Sequence, residues 1–251
     1  MAKRTDSKVD RKRKLEELKR QQRAKERRKT ILTLGSASLI GGLLLGGVIY
    51  AAVAEKRKED KAEKKAAAEA EAKLATAKNE LKTLGVTAAE AGCTPATTDD
   101  PIPKGSHVQG EVTYPNIPPT GGDHANQTLP IDGQNFYERG TASELVEPAV
   151  HDLEHGVIVG WYDSKLPAAD VEALKAIAAN TQIQAGAVTG GLPASRFLVL
   201  PWDRGADFPD DKHFVLTAWG HKQTCGKVSG EAVQTFIEQF ENKSPKPGFP
   251  V

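Results

Sequence analysis

Six histidines lie between positions 107 and 221, and they are the residues of this sequence best suited to bind a metal ion. The closest pair is His151 and His155, in the string HDLEH. Pro148 suits the first turn of a short helix and Gly156 suits the position just after its end. On such a helix the two imidazoles share one face and can chelate a divalent cation such as zinc or copper. An equal alternative makes both histidines hydrogen-bonded core residues, one of them oriented by Glu154.

A third ligand must then come from another part of the chain, and His124 is the first candidate. It ends the string PPTGGDH, in which two prolines favour an extended segment and two glycines permit a sharp turn. A rigid loop of this kind could carry His124 to the helical pair. The same string is also typical of an ordinary surface turn. His107 and His221 are secondary candidates for the metal site.

The string from His151 to His155 also matches H-x-x-E-H, the inverted zinc-peptidase motif, in which Glu154 would be the general base. That chemistry requires a longer helix and an acidic ligand further along the chain. Here Gly156 ends the helix and a buried strand follows at once. Glu154 is therefore only an alternative catalytic candidate, and the sequence leaves open whether the protein is an enzyme.

Only two cysteines are present, Cys93 and Cys225. In an oxidising compartment their expected state is a disulfide, which would tie the start of the folded domain to a late strand. The alternative makes Cys225 a metal ligand together with His221, four residues earlier.

The elements that must position these residues lie in residues 84–251, which hold 11 basic and 21 acidic side chains. Hydrophobic runs predict strands at Val108–Tyr114, Gly156–Tyr162, Arg196–Trp202 and Phe214–Trp219. Periodic apolar residues predict one helix that begins at Pro167 and another that is capped by Ser229. The pattern indicates a single α+β domain with a mainly antiparallel sheet.

Three segments with different charge precede this domain. Residues 1–29 hold 14 Lys and Arg against 5 Asp and Glu, residues 30–54 hold no charge, and residues 55–83 are rich in Ala, Glu and Lys. We interpret them as a basic cytoplasmic tail, one transmembrane helix and a charged helical stalk. The domain at 84–251 would then be extracytoplasmic, on a single-pass protein of the cell membrane. A cleaved signal peptide would also place it outside.

The same segments suggest partners. The basic tail and the apolar helix would both contact membrane lipid, the tail through anionic headgroups. Small residues at Ser38, Gly42 and Gly46 follow the spacing that lets two membrane helices approach closely, so a homodimer is possible. No nucleic acid is expected, because no aromatic or base-reading feature accompanies the basic residues. The sequence also lacks a P-loop and a G-x-S-x-G elbow.

Taken together, PPTGGDH, VHDLEHG and LTAWG resemble a bacterial family known only as domain of unknown function 3105. Its members look like short membrane-anchored proteins that carry PPTSGPH, VHSLEHG and TAWG motifs in this order. The resemblance covers roughly residues 84–251. This sequence departs from it at Gly121, Asp123 and Asp152, and keeps the histidines of both motifs. The resemblance implies a fold and a topology and no established activity.

Three functions remain open at this stage. The first is a membrane-tethered domain whose histidines bind zinc or copper, to buffer or deliver the ion. The second is a cell-envelope interaction or scaffold module with structural histidines. The third is a zinc-dependent hydrolase with Glu154 as its base.

Overall fold

The computed structural model describes residues 3–131, 133–140, 143–189, 196–205, 208, 211–241 and 243–247. Side chains at positions 3–10 and 33–46 are not part of this description. Contacts divide the chain into two compact units, Met1–Ala66 and Ala67–Val251. The second unit contains all of the candidate site residues.

The first unit is helical and belongs to helix α1, Lys3–Lys82. Among the residues that the structure describes, no helix is both long enough and apolar enough to cross a membrane. The predicted transmembrane helix covers residues 30–54, and the structure does not describe the side chains of residues 33–46 at its centre. This prediction therefore lies largely outside the described residues.

The second unit includes the last turns of α1, where Ala77 and Leu81 are buried in the core. A disulfide joins Cys93 to Cys225, as the sequence predicts. The two cysteines are 132 positions apart, and closing so long a loop stabilises the fold by about 4–5 kcal/mol in the chain-entropy model. Cys225 is therefore not a metal ligand.

The unit is an α+β fold around a mixed, mostly antiparallel five-stranded sheet in the order β1-β5-β4-β2-β3. The strands are β1 (Thr97–Thr98), β2 (Ile158–Tyr162), β3 (Phe197–Pro201), β4 (Phe214–Ala218) and β5 (His221–Cys225). Strands β2 and β3 are parallel, and the other pairs are antiparallel. The helices are α2 (Val146–Glu154), α3 (Ala168–Thr189) and α4 (Gly230–Phe240), with a short 3₁₀ turn at Ser143–Leu145 before α2.

The central strands are buried on both faces, which explains their near-continuous hydrophobic runs. In β3, Phe197 and Val199 contribute to the core on the side of α3 and α4, whereas Leu198 and Leu200 contribute to the core on the side of α2. Successive side chains of a strand point to opposite faces, so one strand supplies both cores. The α2 side is the side that carries the candidate site.

One strand prediction was wrong, and strand β5 was not predicted. Residues 108–114 form no strand; they lie in an irregular segment whose backbone bonds to side chains elsewhere, for example from Val112 N–H to the Glu147 carboxylate. Conversely, β5 follows directly on the predicted β4 and was not expected, because its residues HKQTC are polar and mostly only half-buried. The Ser229 cap of α4 is confirmed, since its hydroxyl accepts a hydrogen bond from Ala232 N–H.

Candidate metal centre

Helix α2 supplies two of the candidate ligands. Ala149, Val150 and Leu153 are completely buried and fix one side of the helix to the core. His151 and Glu154, three positions apart, therefore share the opposite side, as helical spacing requires. The helix ends at Glu154, and Gly156 follows it with a φ of +86°, the left-handed conformation that glycine adopts just after a helix end.

The loop of residues 105–124 supplies the other two ligands. His107 and His124 face each other across a short bridge, with Val108 N–H bonded to the His124 carbonyl at 2.8 Å and His124 N–H bonded to the Ser106 carbonyl at 3.0 Å. Gly105 lies so close to the backbone of Gly122 that any added Cβ would overlap its carbonyl oxygen. The loop is therefore held shut by backbone contacts, and both histidines are fixed within it.

These two elements bring His107, His124, His151 and Glu154 together. Each residue offers one ligand atom, and all four atoms lie within 4.8 Å of one another. The ring centroids of the three histidines are 4.7–5.1 Å apart. His107 is exposed, whereas the other three are buried, so the group has one side open to solvent.

The hydrogen bonds of His124 determine which of its nitrogens can bind an ion. Its Nδ1 lies 2.8 Å from the carbonyl oxygen of Gly122, which can only accept, so Nδ1 carries the proton. The neutral ring then has a lone pair on Nε2. This buried atom has no hydrogen bond to any described residue and lies 3.5 Å from Glu154 Oε2. Two acceptor atoms thus face each other.

His155, also a candidate ligand from the sequence, lies outside the group of four. Its Nδ1 is 3.2 Å from the Lys246 carbonyl, and its Nε2 is 3.0 Å from Nε2 of His151. His155 therefore links the candidate ligand His151 to the backbone of Lys246.

Burial disfavours the protonated forms of His124 and His151, and the neutral imidazole is the form that binds metals. Burial lowers the pKa of His151 to about 4, aided by the neighbouring His124 and His155, whereas a hydrogen bond with the Gln127 backbone acts to raise that pKa. Burial likewise lowers the pKa of His124, against the opposing effects of the Gly122 carbonyl and Glu154.

Glu154 is ionised. Burial acts to raise its pKa, but the hydrogen bond from Lys246 Nζ at 2.8 Å, together with the neighbouring His124 and His151 and the charge of Lys246, outweighs burial and lowers the pKa below its ordinary value. The site therefore combines three imidazoles with one carboxylate, a donor set that suits zinc or copper.

The remaining histidines lie elsewhere. His221, a secondary candidate for the metal site, stacks on Phe240 with ring centroids 4.3 Å apart, and its Nδ1 is 2.9 Å from the Thr98 hydroxyl. His213 pairs with the buried carboxylate of Asp163 at 3.1 Å. Neither belongs to the group of four.

Sequence reasoning missed two features of the site. Glu154 was considered as a catalytic base or as a residue that orients a histidine, and not as a ligand, although its spacing from His151 already places both on one helix face. Lys246 gave no signal at all, because its contact with Glu154 joins residues 92 positions apart.

Fold and site together define an α+β domain with a histidine-carboxylate cluster that could hold a metal ion. The chain belongs to the family described as "Protein of unknown function (DUF3105)", whose profile matches residues 107–250. The matched region begins at His107 and includes all four members of the cluster. No curated protein and no solved structure matches the chain.

Proposed function

We propose that this protein is a single-pass, membrane-anchored protein whose extracytoplasmic domain binds a divalent metal ion, zinc or copper, through His107, His124, His151 and Glu154. The observation that carries the proposal is the convergence of four ligand atoms within 4.8 Å. Buffering or delivery of the ion is the function that fits such a domain.

The electrostatics of the cluster support a cation at its centre. The lone pair of His124 Nε2 faces the carboxylate of Glu154, and two acceptors at 3.5 Å repel each other unless positive charge lies between them. A proton on His124 would serve, but burial lowers the pKa of that ring. A metal ion bound to both atoms satisfies them without protonating the histidine.

The number of ligands supports binding rather than catalysis. Four protein ligands complete the tetrahedral shell of zinc, whereas catalytic zinc sites keep one position open for water. Glu154 is also held by Lys246, so no described contact favours it as the free base of a hydrolase. The exposed His107 is the ligand through which an ion could enter or leave.

Titration calorimetry of the full-length chain, stripped of metal and held in detergent, tests this proposal with zinc and copper in turn. We expect one ion per chain. His151→Ala should weaken binding by at least about a hundredfold, because loss of a ligand exceeds the usual effect of an outer contact. His221→Gln is the matched control and should bind as the wild type does. Equal affinity in all three chains would exclude this site.

The membrane part of the proposal rests on charge. An uncharged stretch at 30–54 follows a basic tail at 1–29, which is the pattern of a signal anchor with a cytoplasmic N-terminus. The tail would bind anionic lipid headgroups, and the small-residue pattern at 38–46 would permit a homodimer. A disulfide in the domain also suits an oxidising compartment. Protease added to intact cells should digest the domain; a domain protected until lysis would contradict this topology.

One observation favours a different function, a scaffold module with structural histidines. His151 and His155 bond to each other, and Glu154 pairs with Lys246, so several polar atoms of the cluster have partners without a metal. This alternative predicts the same thermal stability with and without a chelator. The metal proposal predicts a lower melting temperature after chelation.

A further inference from the structure

Lys246 forms an ion pair with Glu154, the carboxylate of the cluster. It belongs to the post-α4 segment, residues 243–247, which follows helix α4. Its Nζ lies 2.8 Å from Glu154 Oε2, the same oxygen that faces His124 Nε2. We propose that Lys246 and a divalent metal ion compete for Glu154, so that metal binding releases the post-α4 segment. This inference rests on the metal site proposed above.

Lys246 attaches the segment to the end of α2 through both its backbone and its side chain. Besides the ion pair, Lys246 N–H donates to the Glu154 carbonyl at 3.1 Å, and the Lys246 carbonyl accepts from His155 Nδ1 at 3.2 Å. All three contacts go to the last turn of α2 and the residue after it. A metal ion at the Glu154 carboxylate would therefore replace the ion pair, which is one of the three contacts, and weaken the attachment of the segment.

The two partners differ sharply in exposure. The Lys246 side chain is 52% exposed, whereas that of Glu154 is 7% exposed. The amine can therefore leave for solvent and be fully hydrated there, but the carboxylate cannot. A buried carboxylate is costly unless a cation lies next to it. For Glu154 that cation can be either the exposed ammonium of Lys246 or a metal ion bound by the histidines.

Charge makes the two cations compete. The ammonium lies 2.8 Å from Glu154 Oε2, and the same oxygen lies 3.5 Å from His124 Nε2, so the ammonium is close to a candidate ligand nitrogen. An ion at the same nitrogens would be repelled by the ammonium at short range. Because coupling between two binding events is reciprocal, an attached Lys246 must weaken metal binding by the same factor by which the metal weakens attachment.

The packing of the segment permits release. Lys243, Ser244 and Pro245 line a surface pocket of about 300 Å³ together with Trp219 and His221, so the segment borders solvent on this side. Lys243 and Lys246 are exposed.

The first test compares zinc affinities of full-length chains by calorimetry. Lys246→Gln should bind zinc about tenfold more tightly than the wild type, because the competing charge is gone. Lys243→Gln makes the same charge change in the same segment without a contact to Glu154, and Lys246→Arg keeps the charge. Both controls should stay within about twofold of the wild type.

The outcomes separate the two proposals. A wild type that binds zinc with the same affinity as Lys246→Gln, or more tightly, overturns the competition and leaves the metal site standing. A wild type that binds no zinc overturns both.

The second test measures release. Trypsin cleavage after Lys243, followed by mass spectrometry of the peptide that begins at Ser244, should become several-fold faster when zinc is added to the wild type. In Lys246→Gln the cleavage should be fast with or without zinc, which controls for any effect of zinc on trypsin. A wild type that binds zinc yet is cleaved at an unchanged rate contradicts the release.

Discussion

Hydrogen bonds from residues outside the cluster orient two of its histidines, His124 and His151. The Gly122 carbonyl fixes the proton of His124 on Nδ1, and the Lys246 carbonyl holds His155, whose Nε2 contacts Nε2 of His151. Such outer contacts orient metal-binding histidines in proteins generally.

Glu154 distinguishes a ligand role from a catalytic one. Glu154→Gln keeps the shape of the side chain and removes its charge, so we expect zinc to bind at least about tenfold more weakly. A general base would behave differently, because its amide variant loses activity and retains the metal. Calorimetry of Glu154→Gln and the wild type with zinc distinguishes the two roles. An unchanged zinc affinity would show that Glu154 is not a ligand.

Glu147 gives a prediction about stability that is independent of the metal. Its buried carboxylate accepts two hydrogen bonds from Arg204, at 2.7 and 2.9 Å. Burial acts to raise its pKa, but the Arg204 bonds and the Val112 N–H outweigh burial and lower it. Glu147→Gln should lower the free energy of unfolding by about 3 kcal/mol, because Arg204 loses both of its bonds to a buried carboxylate.

The pH dependence of that effect has a definite sign. A lowered pKa means that the pair stabilises the fold fully above the ordinary glutamate pKa of about 4.3, and that this stability is lost as pH falls through the folded-state value. Denaturation at pH 7 and at acid pH should therefore show the variant's deficit shrinking in acid. Glu111→Gln, exposed and 3.6 Å from Arg204, is the control and should change little. An equal loss in both variants would contradict this account.

At the scale of elements, the site depends on one helix and one loop. Helix α2 is recognisable from its sequence, because Pro148, Gly156 and the apolar residues between them fit a short helix. The loop is not, because the bridge between His107 and His124 joins residues 17 positions apart through backbone contacts that no local pattern encodes. For this reason His107 was only a secondary candidate, although the structure places it in the cluster.

The strands of the sheet show the same difference between elements with a local sequence signal and elements without one. Buried hydrophobic runs identify β2, β3 and β4, but β5 pairs through its backbone and has a polar sequence without alternation. Residues 108–114, with their apolar and aromatic side chains, suggested a strand, yet their backbone groups have side-chain partners such as Glu147 instead of a neighbouring strand.

Gly105 tests whether the loop positions the site. An alanine there would force its Cβ into the Gly122 carbonyl and against His124 Nδ1, so Gly105→Ala should separate the two halves of the loop. We expect zinc affinity to fall by about tenfold or more, since small displacements of a ligand are costly. Gly226→Ala, where the added Cβ meets only ordinary contacts at 3.4 and 3.5 Å, should bind zinc normally. Normal binding by both variants would show that the loop is not what fixes His124.

At the scale of the whole molecule, the chain combines a basic tail, an uncharged segment and an acidic domain. The near-zero formal net charge of +1 conceals this separation. We expect the domain to work on the far side of a membrane from the tail, where a disulfide can form and persist.

The Cys93–Cys225 disulfide should be a major source of stability for this domain. Replacing both cysteines with serine should lower the free energy of unfolding by about 4 kcal/mol, because the unfolded chain regains the freedom of a loop of 132 positions. Chemical denaturation of the double variant and the wild type measures the difference. The metal site should survive in the folded double variant, since neither sulfur belongs to the cluster. A loss of stability below about 1 kcal/mol would contradict the structural role of the disulfide.

X-ray absorption spectroscopy at the zinc edge, on the full-length chain loaded with one equivalent of zinc, tests the central claim most directly. We expect a first shell of nitrogen and oxygen atoms at about 2.0–2.1 Å, with the outer-shell scattering of three imidazoles. His221→Gln should leave this spectrum unchanged, and His124→Ala should remove one imidazole from it. A shell made only of water oxygens, or a spectrum that His124→Ala does not alter, would contradict the proposed metal centre.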